Sequence, residues 1–108
     1  VDDWIQIKEI KDRKEANVLQ AVLDYGEAEV IVLAQEINAD LLILDNKEPR
    51  MFAKHLGFKI VGTIGIILLA NKKRIIDKPL EIILELREKG FYISDSLLNE
   101  IIKETKNR

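Results

Sequence analysis

The sequence predicts an α/β domain, a three-layer arrangement in which a short parallel sheet is flanked by helices, and three observations predict it. Val30, Leu33, Ala34 and Ile37 recur at helical spacing, with Ile31 widening the stripe. The segment from Glu27 to Ile37 therefore reads as an amphipathic helix, opened by acids that suit its positive end. Leu41-Leu42-Ile43-Leu44 follows at once, an apolar run without a polar break between Asp40 and Asp45. Such a run fits a strand covered on both faces, as in a parallel sheet. Elsewhere strand-like and helix-like segments alternate, which is the pattern of helices packed on a parallel sheet.

The central helix and strand also carry a geometric argument. A helix from Glu27 to Ile37 climbs roughly 15 Å, and a strand from Leu41 to Asp45 travels back about 13 Å. The connection Asn38-Ala39-Asp40 is short, so the two should be antiparallel, with Glu27 and Asp45 on one rim. That rim is the carboxyl end of the strand, where open α/β sheets bind ligands. Glu27 precedes Val30 and Ile31 by three and four residues, which directs it inward.

In chain order, Trp4-Ile5-Gln6-Ile7-Lys8 alternates as an edge strand would. Asp12 and Glu15 resemble a capped helix start, and Ala16, Leu19, Val22 and Leu23 supply its inward stripe. Asp24-Tyr25-Gly26 is expected to end that helix, with Gly26 in the left-handed position after it. After Asp45, Pro49 suits the first turn of a new helix; Met51, Phe52, His55 and Leu56 mark its apolar side and Gly57 stops it. Phe58 to Ile64 reads as the third strand. From Gly65, the residues Ile66, Ile67, Leu69 and Ala70 predict a strongly buried helix ending at Lys72-Lys73-Arg74. Pro79 starts another, with Leu80, Ile83, Leu84 and Leu86 inward until Gly90. Ser94 caps the last, which carries Leu97, Leu98, Ile101 and Ile102, and Lys103 to Arg108 is expected to fray.

The chain of 108 residues has room for one modest domain over 1–108. Hydrophobic residues at 47% and charged residues at 33% suit a soluble globular protein rather than disorder. No apolar run is long enough to span a membrane and no secretory leader opens the chain, so a cytoplasmic address and no membrane partner are expected. The absence of cysteine excludes disulfides and thiolate sites, and a single histidine excludes a histidine-rich zinc site. A metal would have oxygen ligands, which points to magnesium or manganese. A net charge of −2 supplies no global attraction to nucleic acid, so any RNA contact must be a local patch. Three strands make a narrow sheet with apolar helices in excess of it, so a further strand in front or a second subunit is expected to cover the gap, and a homodimer is the simplest form.

The run Asp24-Tyr25-Gly26-Glu27-Ala28-Glu29, then Leu33-Ala34, Ala39-Asp40-Leu41-Leu42-Ile43-Leu44-Asp45 and Gly62-Thr63-Ile64-Gly65 resembles the PIN nuclease domain. The branch it is most similar to is that of small prokaryotic PIN-like proteins with a Gly-Glu-Ala-Glu signature, akin to the toxins of VapBC-type toxin–antitoxin pairs. The resemblance spans essentially the whole chain. It implies a metal-dependent ribonuclease whose acidic cluster holds magnesium or manganese, with an antitoxin protein as partner. Glu27 takes the place of the acid opening the central helix and Asp45 that of the acid after the strand, as metal ligands and catalytic groups. The family's first strand, which ends in aspartate, and its first helices have no counterpart before Trp4, and Asp2 and Asp3 do not replace them. The expectation is an N-terminally incomplete PIN-like domain that lacks the first strand and two acidic positions.

Two readings of function follow. The first is a metal-dependent endoribonuclease working through Glu27 and Asp45, with Lys47, Arg50 and Lys54 receiving RNA phosphates. The second is a non-catalytic remnant that acts as an oligomerisation or protein-binding module. The plainer roles of these residues are a first-turn acid for Glu27, a turn former for Asp45 and a solvated helix face for the cations. Glu29 reads as a solvated first-turn acid, His55 and Trp4 as packing, and Thr63 as a turn hydroxyl. Gly62-Thr63-Ile64-Gly65 is no phosphate loop, since it lacks the lysine and the glycine count.

Overall fold

The computed structural model describes residues 2–106. Its elements in order are α1 (Arg13–Leu19), α2 (Tyr25–Ile37), β1 (Leu42–Ile43), α3 (Lys47–His55), β2 (Ile60–Val61), α4 (Thr63–Lys72), α5 (Pro79–Glu88) and α6 (Asp95–Lys106). This is the α/β class that the alternation of segments predicts. The sheet is parallel, with Leu42 beside Ile60 and Ile43 beside Val61. Backbone bonds from Leu42 N to Lys59 O at 2.9 Å and from Leu44 N to Val61 O at 3.0 Å tie the two strands together. The chain divides into two compact units, one up to Gly62 and one from Thr63 onward.

In the first unit, Asp12 caps α1 by accepting from Glu15 N at 3.0 Å, as its sequence pattern predicts. The helix ends at Leu19, however, and a run of turns leads to Asp24. Val22 is therefore exposed instead of joining the inward stripe. Asp24 opens α2 through a capping box: its side chain accepts from Glu27 N at 2.8 Å, and the Glu27 carboxylate accepts from Asp24 N at 3.3 Å. Gly26 thus lies in the first turn of α2 and does not terminate α1. The reciprocal pair satisfies two helix-start donors at once, which outweighs the stop signal of a glycine. At the far end Asn38, in left-handed conformation with φ 53°, closes the helix.

The core of this unit joins Leu23, Ala28, Ile31, Ala34, Leu42, Leu44 and Ala53, with Phe52, Phe58 and Ile60 at its border. A second cluster places Val32 and Ala16 over Ile10. The buried stripe of α2 is thus Ala28, Ile31, Val32 and Ala34, rotated from the one expected, and Val30 and Ile37 are exposed. β1 is likewise covered on one face only: Leu42 and Leu44 are 3% and 6% exposed, Leu41 and Ile43 51% and 58%. Strand side chains alternate, so α2 and α3 on one face cannot cover the other. On α3, Pro49 and Ala53 face inward, whereas Met51, Leu56 and His55 are exposed.

The expected edge strand from Trp4 to Lys8 is irregular and exposed, with Trp4 and Ile7 each 80% accessible. Its alternation is sound strand chemistry, but among the described residues only β1 and β2 pair. The third strand shortens to Ile60–Val61 because α4 begins at Thr63, ahead of the expected start at Gly65. Arg13 links α1 to α2, reaching the Tyr25 hydroxyl and, at 2.7 Å, Glu29. Glu29 is therefore paired with Arg13 while still open to solvent, and its hydrogen bond holds the Arg13 guanidinium above its ordinary value.

The second unit is helical. Ile83, Ile93 and Ile101 form its core, bordered by Ile64, Ile67, Leu68, Leu80, Phe91 and Leu98. No residue of α4 is fully buried, so the expected strongly buried helix is a half-covered one. Pro79 stands at the start of α5, Gly90 takes φ 102° after it, and Ser94 Oγ caps α6 by accepting from Leu97 N at 3.1 Å. Helix α6 runs through Lys106, beyond the expected fraying point; Asn107, Arg108 and the opening Val1 lie outside the described residues.

Candidate functional site

The candidate site is the rim at the carboxyl ends of β1 and β2, and it lies entirely within the first unit. The start of α2 brings Glu27 there, half-buried, and the end of β1 brings Asp45, exposed. The two ends do meet: Asn46 Nδ2 donates to Glu27 Oε2 at 2.6 Å across nineteen positions of sequence. A carboxylate only accepts, so the amide must present its nitrogen here.

Asn46 is the residue that sequence reasoning missed. It stands at the N-cap of α3 with extended backbone, the place where an asparagine side chain ordinarily bonds the helix's own N–H groups, yet it makes no such bond. Its amide is turned to Glu27 instead. The signal was available in the sequence: an asparagine directly after Asp45 and ahead of a helix start is a cap candidate, and its position beside the rim acid was the cue that it could serve the rim.

The cations separate. Lys47 and Lys54 are exposed on α3. Arg50 is turned the other way, part-buried, with Nη1 donating to the Leu44 carbonyl at 2.9 Å. Gly62, directly after β2, closes this corner. A side-chain carbon built on it would sit 2.8 Å from Arg50 Nη1 and 2.9 Å from Asp45 Oδ1. Both polar groups therefore occupy the space that a Cβ would need. His55 is exposed in the last turn of α3, where a basic residue suits the negative helix end.

The donors available for a metal are the carboxylates of Glu27 and Asp45 and the amide of Asn46, whose oxygen can face an ion if the side chain turns over. All are oxygen donors and fit a hydrated magnesium or manganese ion that keeps several waters. Among the described residues no group of three or more histidine, cysteine, aspartate or glutamate side chains is arranged to hold a metal. No described helix is long and apolar enough to cross a membrane.

No curated protein and no solved structure matches this chain. A family model described as a PIN domain matches residues 1–107. Because that match runs over nearly all the chain, the protein belongs to the PIN-domain family.

Proposed function

We propose that the rim is the active site of a metal-dependent ribonuclease, with Glu27 and Asp45 as ligands of magnesium or manganese. The observation that carries this reading is the diverted amide of Asn46. Leaving a helix start without its side-chain cap forgoes about 1 kcal/mol, and the side chain is used instead to hold the Glu27 carboxylate at the carboxyl end of the sheet. A bound ion would lower the pKa of a water and stabilise charge on the scissile phosphate. Glu27 and Asp45 would hold the ion, and Asn46 holds the Glu27 carboxylate through its amide nitrogen. Lys47 and Lys54, exposed beyond the rim, receive backbone phosphates of a single strand. The finer reading is a toxin of a toxin–antitoxin pair, self-associated and held in check by an antitoxin protein.

A second reading is favoured by a different observation. Leu41 and Ile43 present an uncovered apolar sheet face, and the rim holds two carboxylates where hydrolysis usually draws on three or more. On that reading the chain is a non-catalytic module that dimerises or binds a protein. Manganese-dependent cleavage of single-stranded RNA, measured beside an identically purified Asp45→Asn variant, separates the two. Cleavage lost in the variant supports the rim; equal cleavage by both rules the rim out; none from either, in folded samples that sediment as dimers, favours the module.

A further inference from the structure

We infer that Arg50 is a positioning residue for Asp45 and not a phosphate contact, and that Gly62 is kept free of a side chain so that the two can meet. Only the catalytic consequence of this inference rests on the ribonuclease reading. Arg50 follows Asp45 by five residues, in the first half of α3, and its side chain reaches back to the end of β1. There Nη1 donates to the Leu44 carbonyl, the last acceptor before Asp45. The same nitrogen and Asp45 Oδ1 both lie within 3 Å of the point where a Gly62 side chain would begin. One guanidinium thus stands at a corner made by the ends of both strands and by the candidate ligand.

Three physical points favour positioning. A planar guanidinium has five donors in a fixed fork, so one bond to Leu44 fixes where the remaining N–H groups point. A part-buried cation with its head on a backbone carbonyl is not displayed to a passing phosphate, in contrast to Lys47 and Lys54. Asp45 itself is exposed on a short segment between β1 and α3, and an ion-binding carboxylate there needs a fixed neighbour to hold its direction. The glycine completes the device. Its φ is not in the left-handed region, so flexibility does not explain it; the approach of two polar side chains does.

The test uses the full chain. Arginine side-chain N–H signals are recorded by NMR and Arg50 is assigned by its loss in Arg50→Lys. A held guanidinium gives resolved, slowly rotating Nη–H signals, and Asp45→Asn should shift them. Averaged signals in the wild type, or signals that Asp45→Asn leaves in place, overturn the inference without any reference to catalysis. RNA affinity without metal and cleavage with manganese are then compared. Arg50→Lys should keep RNA affinity within about twofold and lower the cleavage rate roughly tenfold or more, because an ammonium lacks the fork. Gly62→Ala should reproduce that pattern with no charge altered. Should Arg50→Gln weaken RNA binding and Arg50→Lys restore both binding and rate, charge alone matters and the residue is a phosphate contact. A held Arg50 in a chain that cleaves nothing refutes the ribonuclease reading while the positioning stands; an averaged Arg50 in an active chain does the reverse.

Discussion

The two ends of α2 each carry a glutamate that reaches outside its helix, and they use it differently. Near the C-terminal end, Glu36 accepts from Lys11 N at 2.9 and 3.0 Å and from Asp12 N at 2.9 Å, so both oxygens are committed to backbone donors just before α1. At the N-terminal end, Glu27 has one long bond to Asp24 N at 3.3 Å and one short bond to the rotatable amide of Asn46. Backbone N–H groups cannot turn away without moving the chain, whereas a side-chain amide can. One carboxylate is a clamp bonded to backbone donors alone; the other divides its bonds between one backbone donor and one side-chain amide. Identical side chains on one helix thus differ in what they bond to as well as in exposure, Glu27 being half-buried and Glu36 exposed.

The comparison can be broken most decisively at Glu27 and Asp45. Glu27→Gln or Asp45→Asn should cut manganese-dependent RNA cleavage by on the order of 100-fold or more, with little change in melting temperature. Glu36→Ala should do the opposite. Its loss should lower stability by about 1–2 kcal/mol, measured by urea unfolding, and leave the rate per folded molecule unaltered. If Glu36→Ala lowered the rate as much as Glu27→Gln, the distinction between clamp and ligand would be wrong.

Asn46→Asp sharpens the contrast. It replaces the donor to Glu27 with a third carboxylate, so the variant should melt below the wild type in chelator and gain more than the wild type when manganese is added. Equal melting shifts on adding the ion would argue against an ion at this rim. Asp24→Ala removes the cap of α2 and should cost about 1 kcal/mol, reported by thermal melting with amide exchange in the first turn.

The smallest effect is expected from the Arg13 and Glu29 pair, which is largely in solvent. The Arg13 value is raised, so whatever the pair contributes is fully present below the unfolded value and is lost only as pH climbs through the folded one, in strong alkali. Melting curves of wild type and Arg13→Met should therefore run parallel between about pH 6 and pH 9. A gap that opens within that window would mean that another group at this contact titrates.

Much of the fold was legible because its signals are local. Asp12, Pro79, Ser94, Gly57 and Gly90 act within a turn of themselves, and each does in the structure what its residue type predicts. The pairing of Glu27 with the end of β1 was legible too, since helix rise, strand rise and a short connection constrain where two ends can go. Asp24 shows where local reading goes astray. Asp24-Tyr25-Gly26-Glu27 contains both a stop and a start signal, and the start wins through a reciprocal bond that a glycine cannot supply.

The sequence by itself determined the α/β class, the order of its helices, and the rim on which Glu27 and Asp45 stand, because periodicity and element length are properties of consecutive residues. Only the tertiary structure decided that Ile43 faces away from the core while Leu42 and Leu44 face into it, that Asn46 abandons its own helix for Glu27, and that Arg50 turns inward over Gly62. An apolar run has the same letters whether one face or two are covered, and a long polar side chain has several rotamers that the chain permits equally. Which one is taken depends on neighbours that only folding brings near.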